Sequence, residues 1–173
     1  MNKKIKIYLR LLKSFYYFFI YPPIRKIKLA SRDQKILVKK IFFNKKMSYN
    51  IYLISNGRVF TNTVSNTAYI SNNSLVKEPS YQYVLNKKNQ VVNGNIENNE
   101  VFKFGTPYKK KEIYGKLISL LSGGAAKKNY WHWMYDTLPK IAMLEKAKMN
   151  IFKKYLLLPS TNQKFQIETI RAL

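Results

Sequence analysis

The chain of 173 residues contains no cysteine and only one histidine. The missing thiols exclude disulfides, thiol nucleophiles and cysteine metal ligands, and they fit a reducing compartment. Acids are also scarce, eight against 32 Lys and Arg, for a net charge of +24. With so few carboxylates and one imidazole, no metal site and no cofactor are expected. Arginine is the next shortage, since only Arg10, Arg25, Arg32, Arg58 and Arg171 stand among the 32 basic residues. Nucleic-acid readers lean on the planar guanidinium fork for bidentate contacts. A lysine-dominated field therefore argues against nucleic acid as the partner. The joint excess of Lys, Asn, Ile and Tyr is also what codons rich in A and T encode. No apolar run approaches the roughly 20 residues of a membrane-crossing helix.

A hydrophobic fraction of 46% is ample for a core, and the length suits one domain or part of a larger enzyme. The charge is uneven, with fourteen Lys and Arg but one acid, Asp33, in residues 1–46. Within them Phe-Tyr-Tyr-Phe-Phe-Ile-Tyr at 15–21 is closed by Pro22 and Pro23. No small-residue cleavage site follows, so a signal peptide is not indicated. Residues 1–46 read as a basic aromatic arm, either lying on an anionic membrane surface or a solvated tail. The expected location is the cytoplasm, with at most peripheral attachment to the inner face of the plasma membrane.

Residues 47–112 alternate β-prone runs with turn chemistry and read as an antiparallel or mixed β-rich region. A strand at 50–54, a turn at Ser55-Asn56-Gly57 and a partner at 58–61 suggest a hairpin. Further strands are expected at 67–71, 74–76 and 81–85, followed by an exposed loop over 86–100. Beyond residue 113 the pattern changes. The apolar run 117–121, a helix to about 147, a second apolar run 155–158 and a helix over 163–173 give β-α-β-α. That is an α/β chain whose β-rich region leads into an incomplete Rossmann-like parallel-sheet unit. Two such strands and two helices cannot close a two-faced core. The apolar pattern Phe165, Ile167, Ile170, Leu173 runs to the last residue, so a truncated portion of a longer fold is expected.

Between those two runs lies GGAAKKNYWHWMYDTLPK, residues 123–140, with both tryptophans and the only histidine. Gly123 and Gly124 let backbone approach a ligand where a strand passes into a helix, although the segment lacks the spacing of a phosphate loop. Taken alone, the glycine pair reads better as a plain structural turn. Asn129 can cap the helix, and His132, Asp136 and Lys140 recur at i, i+4 and i+8 on one face. Trp131, Met134, Leu138, Ile141 and Ala142 fall mostly on another, suited to packing on the sheet. An imidazole beside a carboxylate is an acid–base pair in form, the carboxylate fixing the ring tautomer. A histidine beside two tryptophans is also at home as a half-buried structural residue. Pro139 removes an amide donor within the helical stretch and predicts a kink.

The stretch resembles the signature of glycosyltransferase family 61, in which Asn, two residues and His, then often Trp, precede an acid and Leu-Pro-Arg/Lys. Here these are Asn129, His132, Trp133, Asp136, Leu138, Pro139 and Lys140. The flanks are similar too: Phe104-Gly105-Thr106-Pro107 upstream, the 117–121 strand, Leu144-Glu145, and Phe165 to Thr169 downstream. The similarity covers about residues 101–173, is looser over 50–85, and does not extend to the basic arm. The family includes bacterial capsular-polysaccharide enzymes, plant xylan transferases and animal O-linked N-acetylglucosaminyltransferases.

The resemblance implies half of a GT-B-type fold, inverting transfer from a nucleotide-sugar, and no general need for a metal. It also implies that a C-terminal domain holds most of the nucleotide site. His132, oriented by Asp136, is then the base or an acceptor-binding group, with Asp136 as the alternative base. Asn129 holds the loop or a sugar hydroxyl, Lys140 supports the carboxylate or faces a phosphate, and Trp131 or Trp133 stacks on a sugar ring or packs in the core. The expected function is sugar transfer to a surface polysaccharide, glycan or lipid-linked acceptor. The other reading is a non-catalytic basic module for membrane or nucleic acid, a degenerate remnant of such an enzyme.

Overall fold

A computed structural model describes residues 3–63, 66–106, 110–122, 129–149, 155–159 and 161–172. In chain order the elements are α1 (Lys3–Ile20), β1 (Ile27–Lys28), β2 (Ile36–Phe42), β3 (Ser48–Ile54), β4 (Arg58–Thr63), β5 (Asn66–Ser71) and β6 (Ser74–Val76). β7 (Tyr81–Leu85), β8 (Val91–Asn93), α2 (Glu100–Phe104) and β9 (Leu117–Ser119) follow. The rest is α3 (Tyr130–His132), a π-helical segment (Trp133–Thr137), α4 (Pro139–Lys146), β10 (Tyr155–Leu157) and α5 (Lys164–Ala172). The chain is mixed α/β and divides into two compact units.

The first unit takes Met1–Ile36, Ile54–Thr61 and Asn66–Glu112. Its sheet runs β1-β6-β5-β7-β8, with β4 also paired to β5. Every pair of known direction is antiparallel except β1–β6, where Ile27 and Lys28 lie parallel to Leu75 and Val76. Asn72 and Asn73 both take φ near +50°, the left-handed geometry of a two-residue hairpin turn, between β5 and β6. Alternating side chains of this sheet meet Ile24, Phe60 and Val101 in a core built on Ala68, Ile70 and Leu75.

Two features tie the chain's start to this sheet. Asp33 is buried, and Lys28 Nζ lies 2.5 Å and Ser71 Oγ 2.6 Å from its Oδ2, while the Lys35 amide donates to Oδ1. The Lys28 ammonium, then the Ser71 hydroxyl and the Lys35 amide, hold its carboxyl at about 2. Gly105 sits at φ +63°, and a Cβ there would lie 2.2 Å from the carbonyl oxygen of Tyr21. Only glycine fits this crossing.

The second unit takes Leu37–Leu53, Asn62–Ser65 and Ile113–Leu173. β9 and β10 pair in parallel, Leu117 to Tyr155 through Ser119 to Leu157, as the two apolar runs predict. Ile118 and Leu120 pack on Ile141 and Leu144, with Ile51 and Leu156 against them. α4 ends in a Schellman motif, with Lys148 at φ 57° and Met149 N donating to Leu144 O. Lys39 Nζ donates to the Ala147 carbonyl over 2.6 Å, placing a cation on the negative end of the helix.

Several expectations change. The turn at 55–57 forms, but β3 pairs with β2 and β4 with β5, so the expected 50–54/58–61 hairpin is absent. The cause is burial: Ile51 packs in the Ile118 core and Phe60 in the Ile24 core. Part of the 86–100 loop is β8, paired antiparallel to β7. The unit boundaries also run elsewhere than 1–46, 47–112 and 113–173. Ile24 and Ala30 are core residues of the first unit, and 37–53 belongs with 113–173. The parallel pair comprises two three-residue strands, shorter than the apolar runs 117–121 and 155–158, and Leu117 is partly exposed.

Gly105→Ala should lower stability by about 3 kcal/mol or more, because a left-handed alanine adds to a backbone clash; urea unfolding measures it, and an unchanged midpoint refutes the crossing. The Asp33 carboxyl is depressed in the folded state, so its stabilisation is complete above its ordinary value of 3.8 and lost as pH falls towards about 2. Asp33→Asn should flatten the acid limb of stability in that window, read by denaturant melts between pH 5 and 2.

Candidate functional site

The helical stretch that begins at Asn129 is not a regular α-helix. Asn129 lies at φ −96°, ψ 98°, and its Oδ1 accepts from His132 N at 3.3 Å, a side-chain N-cap. The next turn widens. Leu138 N donates to Trp133 O over 3.1 Å, an i to i+5 bond, and Pro139 then occupies the first position of α4. A proline at that point can neither donate to the carbonyl four residues back nor avoid crowding it. The wide turn relieves both, so the predicted kink takes the form of a π segment.

Residues three and four apart share a side of a helix. Trp133, Thr137, Ile141 and Leu144 line up and are buried, Trp133 at 0% exposure. Met134 and Ala142 are displaced from the packing face, and Trp131 is 63% exposed. The Trp133 indole donates to Thr169 Oγ1 over 3.3 Å, and its ring meets Phe165 edge-on at 6.4 Å. Phe165 also packs edge-on against Tyr130 at 5.1 Å. Trp133 is therefore a core residue, not a ring that a sugar can stack on, and this corrects its expected substrate contact.

The same geometry aligns His132 with Asp136. Nδ1 of His132 lies 2.5 Å from Asp136 Oδ2, and both side chains are a little under two-fifths exposed. With Nδ1 engaged by the carboxylate, Nε2 is the nitrogen left for a ligand. Trp131 and Tyr135 flank the pair on the neighbouring face, ring centroids 4.2 Å apart at 35°, both about 60% exposed. An accessible acid–base pair thus stands beside an accessible aromatic ledge. The exposed ring of the motif is Trp131, one residue before the histidine.

Lys140 continues this face but reaches inwards. Its Nζ donates to the Leu121 carbonyl and lies 3.5 Å from the Leu120 carbonyl, where the chain leaves β9. Burial pulls its ammonium down from 10.5 to about 8, opposed by the charge of Asp136. With Nζ on the strand-end carbonyls, Lys140 holds strand and helix together; it is not directed at a phosphate. Thr137 Oγ1 makes a second link across the same gap, 3.3 Å from Ser122 Oγ. Neither Ser122 nor Thr137 carries a signal in the sequence, since the contact joins residues fifteen apart.

Gly123 and Gly124 lie outside the described residues. Asn129, expected to hold a loop or a sugar hydroxyl, has its side-chain oxygen on the His132 amide. Among the described residues no three His, Asp or Glu side chains converge on a common point. No family model, no curated protein and no solved structure matches the chain.

Lys140 is depressed in the folded state, so between about pH 8 and 10.5 the unfolded chain holds a proton that the folded chain lacks. Stability should therefore rise with pH across that window, by up to about 3 kcal/mol. Lys140→Met should remove this rise. Equal slopes for the two proteins in alkaline urea titrations would exclude a buried ammonium at the strand end.

Proposed function

We propose that the chain is the N-terminal portion of an inverting glycosyltransferase of the family 61 type, with a nucleotide-sugar as donor and a glycan or lipid-linked acceptor. One observation carries the reading: the half-exposed His132–Asp136 pair at 2.5 Å, on the motif that resembles that family. Inverting transfer needs a base on the acceptor hydroxyl at the moment the sugar leaves its diphosphate. His132 Nε2 takes that proton. The acceptor oxygen forms its bond to the anomeric carbon as the bond to the diphosphate oxygen breaks. Asp136 orients the ring and balances the imidazolium. The exposed Trp131–Tyr135 ledge supplies an apolar face for the acceptor ring.

In this reading the parallel pair β9–β10, with α3 to α5, opens the Rossmann-like N-terminal half of a GT-B arrangement. A second Rossmann-like domain holds most of the donor nucleotide. The positive charge that stabilises the departing diphosphate comes from that domain, because Lys140 Nζ is occupied by backbone carbonyls.

Release of nucleoside diphosphate from a panel of nucleotide-sugars, by the protein at its full encoded length, tests the assignment. His132→Ala and Asp136→Ala should each lower kcat by about 100-fold or more, with thermal unfolding unchanged. Turnover that survives both substitutions would remove the pair from the chemistry. Trp131→Ala should raise KM for the acceptor more than it lowers kcat.

A further inference from the structure

The proposed transfer chemistry leaves α1 without a role, and α1 is the least conventional surface of the molecule. Lys3, Lys6, Arg10 and Lys13 recur at spacings of three, four and three, which places them along one side of a helix. Apart from Lys4 near its start and Ser14, the other residues of α1 are apolar or aromatic. Eleven large hydrophobic residues of α1 are exposed, among them Tyr8, Leu12, Phe15 and Phe19, the last at 67%. So large a contiguous apolar surface on a folded chain marks an interaction site.

The attachment of α1 fixes which side is free. Tyr17, four residues beyond Lys13 on the cationic side, is half-buried and stacks on Tyr21 at 6.3 Å and 11°. The Arg58 guanidinium lies over the Tyr21 ring at 5.7 Å. The last turn therefore meets the first unit through its cationic side, and the apolar arc is turned away from it.

We propose that α1 is an in-plane membrane anchor that buries its apolar arc at the acyl boundary of an anionic bilayer. The inference is independent of the transferase reading. The lysines lie at headgroup level, their stems along the apolar surface, and meet lipid phosphates. Charge complementarity favours lipid over a second copy. α1 carries basic residues and no acid, the first acid of the chain being Asp33, so anionic headgroups offer its lysines partners that a second α1 does not. The apolar arc is also wider than the narrow seam through which two helices pair. Spanning is disfavoured as well. Eighteen residues rise only about 27 Å, and no described helix is long and apolar enough to cross a membrane.

Flotation of the complete chain with vesicles tests this. The protein should partition at least tenfold more strongly onto vesicles of 70% phosphatidylcholine and 30% phosphatidylglycerol than onto pure phosphatidylcholine, and the difference should collapse in 0.5 M NaCl. Phe15→Ser with Phe19→Ser should lower binding to anionic vesicles tenfold or more. Lys6→Glu with Lys13→Glu should abolish the preference for anionic lipid. All four side chains are exposed, so unchanged thermal unfolding will show that the fold is intact. Binding that ignores both double variants overturns the proposal. Resistance to alkaline carbonate extraction overturns it in favour of spanning. Self-association lost in Phe15→Ser with Phe19→Ser, without vesicle binding, assigns the surface to a second copy. Nucleotide-sugar turnover of these variants in detergent should equal that of the unaltered protein, so loss of the anchor and loss of the chemistry remain distinguishable.

Discussion

One backbone hydrogen bond, from the Leu138 amide to the Trp133 carbonyl, sets the geometry of the candidate site. It exists because Pro139 cannot continue a regular α-helix through this point. The chain answers by widening one turn between Trp133 and Leu138. Trp133 goes in, held by Thr169 and Phe165, and Trp131 goes out beside Tyr135. His132 and Asp136, four residues apart, share a face and are both reachable from solvent. Such π segments are rare and tend to occur where function demands an altered register.

An acid-poor chain places its few carboxylates with care. Asp33 is buried on Lys28 and Ser71 and joins the chain's start to the first sheet. Glu78 accepts the Ala30 amide with both oxygens, at 3.0 and 2.9 Å. Asp136 holds the histidine ring. Most lysines, by contrast, have no carboxylate to meet, and some turn to carbonyls: Lys39 to Ala147, and Lys140 to Leu121. A high positive charge thus coexists with a folded structure because ammonium groups are satisfied by backbone oxygens at a helix end and a strand end.

The order of elements after residue 113 was legible because its signals are local. Two apolar runs of strand length flank a helix, and their parallel pairing follows from the right-handed crossover rule. The cap at Asn129 and the shared face of His132, Asp136 and Lys140 were legible for the same reason. The inward face was not, because helical spacing allows more than one apolar side, and the side that packs, Trp133, Thr137, Ile141 and Leu144, includes a threonine. The destination of Lys140 depends on carbonyls some twenty residues earlier, which no local pattern encodes. In the arm, the aromatic run covers only the last turns of an 18-residue helix, whose sequence signal is the 3-4-3 spacing of Lys3, Lys6, Arg10 and Lys13. The 55–57 turn misled in the opposite way. Its chemistry is right for a reversal, but its two flanking strands bury their side chains in different cores.

The crossing at Gly105 bears on mechanics. α1 leads through Tyr21 and two prolines, whose fixed φ angles allow little swing, into the point where the Tyr21 carbonyl presses on the Gly105 backbone. Tyr21 is also clasped by Tyr17 and Arg58. A pull or tilt applied to α1 therefore meets no slack linker before it reaches the sheet. The helix behaves as a lever with a stiff fulcrum, and a load on it is felt first by the short helix α2 that ends at Gly105.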